Sequence, residues 1–169
     1  MTEVPTHQTT QQPGIEFEYV ATIDVQVGTL FETGMHALGN RRLIPITAGT
    51  VSGPRLNGRI LDGGADSQIV RADGQVDLSA RYMIETVDGA RIYIENDGVR
   101  RAMTVEEGGA PGDAQAAIDG SSSGAAMYFR TVPTFETASP DYRWLTQSIF
   151  VCSGTREPTR VLLHIYRVK

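Results

Sequence analysis

Lysine is almost absent from this chain: it has 15 basic residues among 169, and all are Arg except the last residue, Lys169. A Schiff-base lysine, a phosphate-loop lysine or a lysine general base would need an interior Lys, so these chemistries are excluded. Thiols are equally scarce. Cys152 stands alone, so neither an intrachain disulfide nor a thiolate metal cluster is available; within "SIFVCSG" it is expected to be a small buried hydrophobe. His7, His36 and His164 lie far apart, without the spacing of a metal pair. No metal and no cofactor are therefore expected. Apolar runs stop well short of the roughly 20 residues that span a bilayer. The net charge of −5 and a pI near 5.2 do not suit a nucleic-acid surface, which needs clustered positive charge. "GGAPGD" lacks the Lys-Ser or Lys-Thr of a phosphate loop, and "SSSG" lacks a nucleophile elbow. The opening "MTEVPTHQTTQQPG" has neither the basic start nor the apolar centre of a signal peptide. Residues 1–14 are expected to be a disordered tail on a soluble, cytoplasmic protein.

What the chain does have is a period of two. "IEFEYVATIDVQVG" alternates Ile15, Phe17 and Tyr19 with glutamates and continues through Ile23, Val25 and Val27. "RRLIPITAGTVSG" is a second strand, with Pro45 marking an edge or bulge. "QVDLSARYMIETVDG" sets Val76, Leu78, Ala80, Tyr82, Ile84 and Thr86 on one face, and "ARIYIENDG" repeats the pattern. Asp-Gly pairs at 73–74, 88–89 and 97–98 are expected as hairpin turns, because such turns need positive φ. Three more strands lie in "AAMYFRTVPTFET", "WLTQSIFVCSG" and "RVLLHIYRV". Ahead of them, 101–124 is expected to be a long flexible loop, with one helical turn at 113–118. The basic pairs Arg41-Arg42 and Arg100-Arg101 are expected on solvated or salt-bridged faces.

With almost no helix signal, these strands must bury their apolar faces on each other. The expected fold is all-β: one antiparallel β-barrel of about 8–10 strands over residues 15–169, a size that can just hold one small ligand. The interior is then the default binding site.

The stretches 17–100 and 126–168 resemble the DUF3237 family, also called UPF0311. The motifs that carry the likeness are G-P-x-L-x-G, G-G-A-D, A-R-Y, D-G-x-x-I, F-R-T-x-P-x-F-E-T and Y-x-W-L. The resemblance implies a lipocalin-like barrel of small soluble proteins, often homodimers. It also implies a place in natural-product pathways, where some members are linked to cofactor-free cyclisation of phenolic polyketides by intramolecular addition of a hydroxyl to an alkene.

Proton transfer and oxyanion stabilisation are the chemistries left to carboxylates, Tyr, Arg, Asn and Gln. Asp66 and Glu136 are the candidate bases, since partial burial beside apolar residues raises a carboxylate pKa; the alternative is that each accepts backbone hydrogen bonds at a turn. Arg130 is a candidate for holding an enolate or phenolate, or else pairs on the outer face. Tyr82 is a proton donor or a satisfied core tyrosine, and Asn96 orients a carbonyl or belongs to a turn. Trp144 floors the pocket or plugs a barrel end. Gln68 and Thr131 complete the expected substrate-binding set. Three functions stay open: an acid–base cyclase or isomerase of a small aromatic or polyketide-like substrate, a carrier or sensor of a hydrophobic ligand, and a structural barrel filled by side chains.

Overall fold

A computed structural model of the chain describes residues 14–109 and 126–169. Most of the expected 1–14 tail and of the 101–124 loop, including the helical turn at 113–118, therefore lie outside the described residues.

Ten strands form one closed antiparallel sheet: β1 (Phe17–Val27), β2 (Phe31–His36), β3 (Gly39–Ser52), β4 (Gly58–Ile60), β5 (Gly64–Val70), β6 (Val76–Thr86), β7 (Arg91–Ala102), β8 (Met127–Glu136), β9 (Phe150–Arg156) and β10 (Arg160–Val168). Two pairs share a position. β4 and β5 lie end to end between β3 and β6, and β1 and β2 lie end to end along the other edge of β3. The ten strands thus occupy eight places around an eight-stranded barrel, and pairing of β1 with both β10 and β3 closes it, removing exposed edges. The β4–β5 break falls at Asp62-Gly63, where Gly63 takes a φ of 108° that L side chains avoid.

Period two decides what faces inward, and it fails the sequence reading in three places. Register shifts in β1 between Tyr19 and Ala21, so Val20 and Ala21 are both buried and the phase flips. Phe17 and Tyr19, in phase with Ile23 by count, consequently face outward, and Ile15 before them is exposed too. Asp97-Gly98 is not a turn; it lies mid-strand in β7, opposite Val132 and Thr131, whereas 73–74 and 88–89 do turn the chain. β7 also runs on through Arg101 and Ala102, and Thr104 caps a single 3₁₀ turn at Val105–Glu107.

The link from β8 to β9 carries a 3₁₀ turn at Pro140–Tyr142 and one short α-helix, α1 (Arg143–Thr146), where a strand was expected to begin. Its Leu145 is buried, and Phe150 sets its ring 5.0 Å from Phe135, edge to face. This closes one end of the barrel. No helix among the described residues is long and apolar enough to cross a membrane.

Candidate functional site

An eight-stranded barrel is just wide enough for its inward side chains to fill. Here several inward positions are small. Ala80 on β6 stands in register between Asp66 on β5 and Asn96 on β7, so the two polar side chains flank a gap. Gly98 faces Thr131 across β7 and β8, and Gly154 on β9 leaves room for the Phe129 ring, which would lie 2.7 Å from a Cβ there. The result is an internal cavity. Its volume is about 40 Å³, which is room for about three waters.

Its wall has two characters. Val25 and Val27 on β1, Ile46 on β3, and Val161 and Leu163 on β10 make an apolar side. Facing them, β5 to β8 supply Asp66, Gln68, Tyr82, Asn96, Arg100 and Thr131.

Asp66 is anchored on the cavity wall. Gln68 Nε2 donates to its Oδ2 at 2.6 Å, and the Ser79 backbone N–H donates to its Oδ1 at 3.1 Å. The carboxylate therefore lines the cavity and also ties β5 to β6, accepting its backbone hydrogen bond from mid-strand Ser79 rather than at a turn. Desolvation by burial raises its pKa above the ordinary value; those two hydrogen bonds and the charges of Arg100 and Arg156 oppose the shift without cancelling it.

Around Asp66, polar atoms are buried without partners. Gln68 Oε1, Tyr82 OH and Asn96 Oδ1 have no hydrogen bond among the described residues. Thr131 Oγ1 has only the Cys152 thiol, its cross-strand neighbour and a weak donor, at hand. Leaving such groups unsatisfied costs about 1–3 kcal/mol each, so their convergence makes this cavity the candidate site. Burial, reinforced by Cys152 and Asp66, pushes the Tyr82 pKa upward and keeps the phenol protonated as a donor. Burial likewise pushes the Cys152 thiol up to about 12, so it is an inert core group, as expected.

Two expected catalytic residues are elsewhere. Along β8, Phe129, Thr131, Pro133 and Phe135 are buried while Arg130 and Glu136 are exposed, because alternation sends them to the outer face. Arg130 donates to its neighbour's carbonyl, Phe129 O, at 2.8 Å and lies 5.2 Å from the Tyr128 ring. Glu136 is opposite Tyr93, outside the barrel. Trp144 does not line the cavity. It covers the α1 end, 5.9 Å from Phe150, with Arg55 5.0 Å from its ring.

Three functional candidates were missed. Arg100 is buried on the cavity wall, and Arg42 and Arg156 occupy inward positions near the same rim, so the expected solvated face holds only for Arg41 and Arg101, their outward neighbours. Burial and the repulsion of Arg156 and Arg42 bring the Arg100 pKa down to about 10, with Asp66 pulling the other way. Period two was the signal: Arg100 shares the parity of Asn96, and reading Asp97-Gly98 as a turn concealed it.

Fold and site together define a closed eight-stranded barrel with a small, half-polar internal cavity. The chain belongs to the DUF3237 family, described as a protein of unknown function, whose profile matches residues 15–168. Among its relatives, a UPF0311 protein of Clostridium acetobutylicum is 46% identical over 160 residues, 91% of this chain and 94% of the relative. A UPF0311 protein of Rhodopseudomonas palustris is 38% identical, covering 92% and 98%. A solved structure from Acinetobacter baumannii, described as a beta-barrel like protein, superposes with a TM-score of 0.80 at 36% identity, covering 95% of this chain and all (100%) of that one. A structure described as an enzyme from Penicillium herquei reaches a TM-score of 0.69 at 18% identity, covering 96% and 100%, a likeness of fold alone.

Proposed function

We propose that this barrel is a cofactor-independent acid–base enzyme that closes a ring on a small phenolic, polyketide-type substrate by adding its hydroxyl to a conjugated alkene. The observation that carries the reading is the proton-seeking Asp66 carboxylate on the wall of a cavity whose other polar groups lack partners. A raised pKa makes a carboxylate a stronger base. In this reading Asp66 takes the hydroxyl proton as oxygen bonds to the alkene carbon remote from the carbonyl. The alkene pair moves onto the carbonyl oxygen, where the Tyr82 O–H, the Asn96 amide and the Arg100 guanidinium are at hand to stabilise the enolate. Asp66 then returns the proton to the adjacent carbon. Nothing is gained or lost, so the product is an isomer. A substrate packed against the apolar wall from β1, β3 and β10 displaces the water that would compete with the internal hydroxyl.

A cytoplasmic homodimer in natural-product biosynthesis is part of the same reading. Support for the dimer is the outer face of β1, β10, β9 and β8, where Phe17 is 59% exposed beside Tyr166 and Val132 is 54% exposed beside Val151.

The test is ring closure of 1-(2-hydroxyphenyl)but-2-en-1-one to 2-methylchroman-4-one, followed by loss of enone absorbance and by chiral chromatography. Wild type is expected to give one enantiomer in excess and Asp66→Asn to give the racemic background. Equal turnover by Asp66→Asn removes Asp66 from the mechanism. Tight binding of the enone with no turnover by wild type would mean a carrier instead.

A further inference from the structure

β5 brings two polar side chains to the cavity in tandem. Asp66 and Gln68 alternate with outward residues on one strand, so both reach the inner face, and Val70 follows them into the core. Gln68 is 3% exposed and lines the cavity. Its Nε2 donates to Asp66 Oδ2 at 2.6 Å. A carboxylate only accepts, so the amide must turn its nitrogen toward Asp66. That choice also fixes the amide oxygen. Gln68 Oε1 is left buried, with no hydrogen-bond partner among the described residues.

Two acceptors therefore stand side by side on the cavity wall, the Asp66 carboxylate and Gln68 Oε1. A ligand meets both at once only if it carries two donors on neighbouring atoms; ether and ketone oxygens, which only accept, meet neither. The cavity's volume of about 40 Å³, room for about three waters, suits a pair of hydroxyls rather than a whole ring. Val27, last in β1, and Val161, near the start of β10, also line it, so it extends toward the rim away from α1. Val25, Ile46 and Leu163 give that path an aliphatic side, against which a flat ring can lie.

We propose that Gln68 determines the specificity of this site: its Oε1 accepts a hydrogen bond from a second hydroxyl next to the one that Asp66 holds, so the site takes an ortho-dihydroxyphenyl edge in preference to a monohydroxyphenyl one. This rests on the reading of the cavity as the substrate site and adds which phenols enter it. A phenolic O–H is a stronger donor than an aliphatic one, and the planar ring matches the aliphatic side. Sites built to bond a hydroxyl discriminate strongly against analogues that lack it. Through Nε2 the same side chain positions the Asp66 carboxylate, so Gln68 acts on the base as well as on the ligand.

The experiment is isothermal titration of the full chain with catechol and with 2-fluorophenol, which keeps the ring and one hydroxyl and replaces the other with an atom that donates nothing. Catechol is expected to bind wild type at least tenfold more tightly. Gln68→Met, of similar length but without the acceptor, is expected to lose that preference. Urea unfolding followed by Trp144 fluorescence shows whether the variant is folded, and the wild-type comparison decides on its own if it is not. Equal affinity of wild type for the two phenols overturns the proposal, as does no catechol binding at millimolar concentration, or a preference that survives in folded Gln68→Met. The positioning role has its own readout. Ring closure by Gln68→Met should need a higher pH than in wild type, because the hydrogen bond that opposes the raised Asp66 pKa is gone; an unmoved pH profile overturns that half of the proposal. Catechol preference with undiminished turnover by Asp66→Asn would leave the specificity site standing and remove the mechanism; equal binding of the two phenols with Asp66→Asn inactive would do the reverse.

Discussion

Tyr82→Phe should make the free protein more stable and a poorer catalyst. The Tyr82 ring is buried in the barrel, 3% exposed, while its hydroxyl has no hydrogen-bond partner among the described residues. Phe keeps the ring and its contacts and removes only the oxygen. A buried hydroxyl without a partner costs about 1–3 kcal/mol, whereas one that is well bonded contributes about 0.5–1.5 kcal/mol. The sign of the change therefore reports which situation holds. The cavity is small but can admit water, which offsets part of the penalty, so the expected gain is at the lower end, about 1 kcal/mol. For a chain of this size that is a rise in Tm of about 2–4 °C. Urea unfolding followed by tryptophan fluorescence measures it, and Trp144, in contact with Phe150 at the closed end, reports on the intact core. Ring closure should fall in the same variant, because the donor aimed at the developing oxyanion is gone. A loss of 1 kcal/mol or more would refute the reasoning, since it would mean that the hydroxyl is already satisfied in the free protein.

Other consequences are as direct. Asp66→Asn should change the pH dependence of stability: because the folded-state pKa of Asp66 is raised, its stabilising contribution is complete below the unfolded value of about 3.9 and disappears as pH climbs through the folded value. Stability of Asp66→Asn relative to wild type should therefore rise from pH 4 toward neutrality in urea titrations, and a constant difference would count against the shift. Ala80→Val narrows the gap between Asp66 and Asn96; it should abolish ring closure while costing about 1–3 kcal/mol from overpacking, and undiminished turnover would mean that the substrate sits elsewhere. Val132→Glu puts a charge on the outer apolar face and should turn a dimer into a monomer in analytical ultracentrifugation; a wild-type monomer would dismiss the dimer.

How much of this was legible depended on where a period of two could be followed without interruption. β6 could be read straight through, which put Leu78, Ala80 and Tyr82 on the inner face correctly. The same rule applied to Phe129, Thr131 and Phe135 would have sent Arg130 and Glu136 outside; their motif-like surroundings outweighed their parity. Arg100 was hidden because Asp-Gly usually turns the chain, yet in β7 the pair runs mid-strand, where a Cβ on Gly98 would collide with the Arg130 and Thr131 backbone of β8. The flip at Val20 and Ala21 comes from a bulge, which depends on pairing with β10 and leaves no mark on the local pattern. Convergence of Arg42, Arg100 and Arg156 needs the barrel to close, bringing residues more than 50 positions apart to one rim. Local alternation assigns a face to each of them and says nothing of their meeting.

The central claim is that Asp66 is a proton-seeking carboxylate facing a ligand. Titration of its γ-carboxyl by carbon-13 NMR in the full chain, with and without 2-methylchroman-4-one, tests this most directly. The account expects a midpoint above the ordinary value of about 3.9 in the free protein, moving further upward once the neutral product displaces water beside it. A midpoint at or below that value, unmoved by the product, would contradict it.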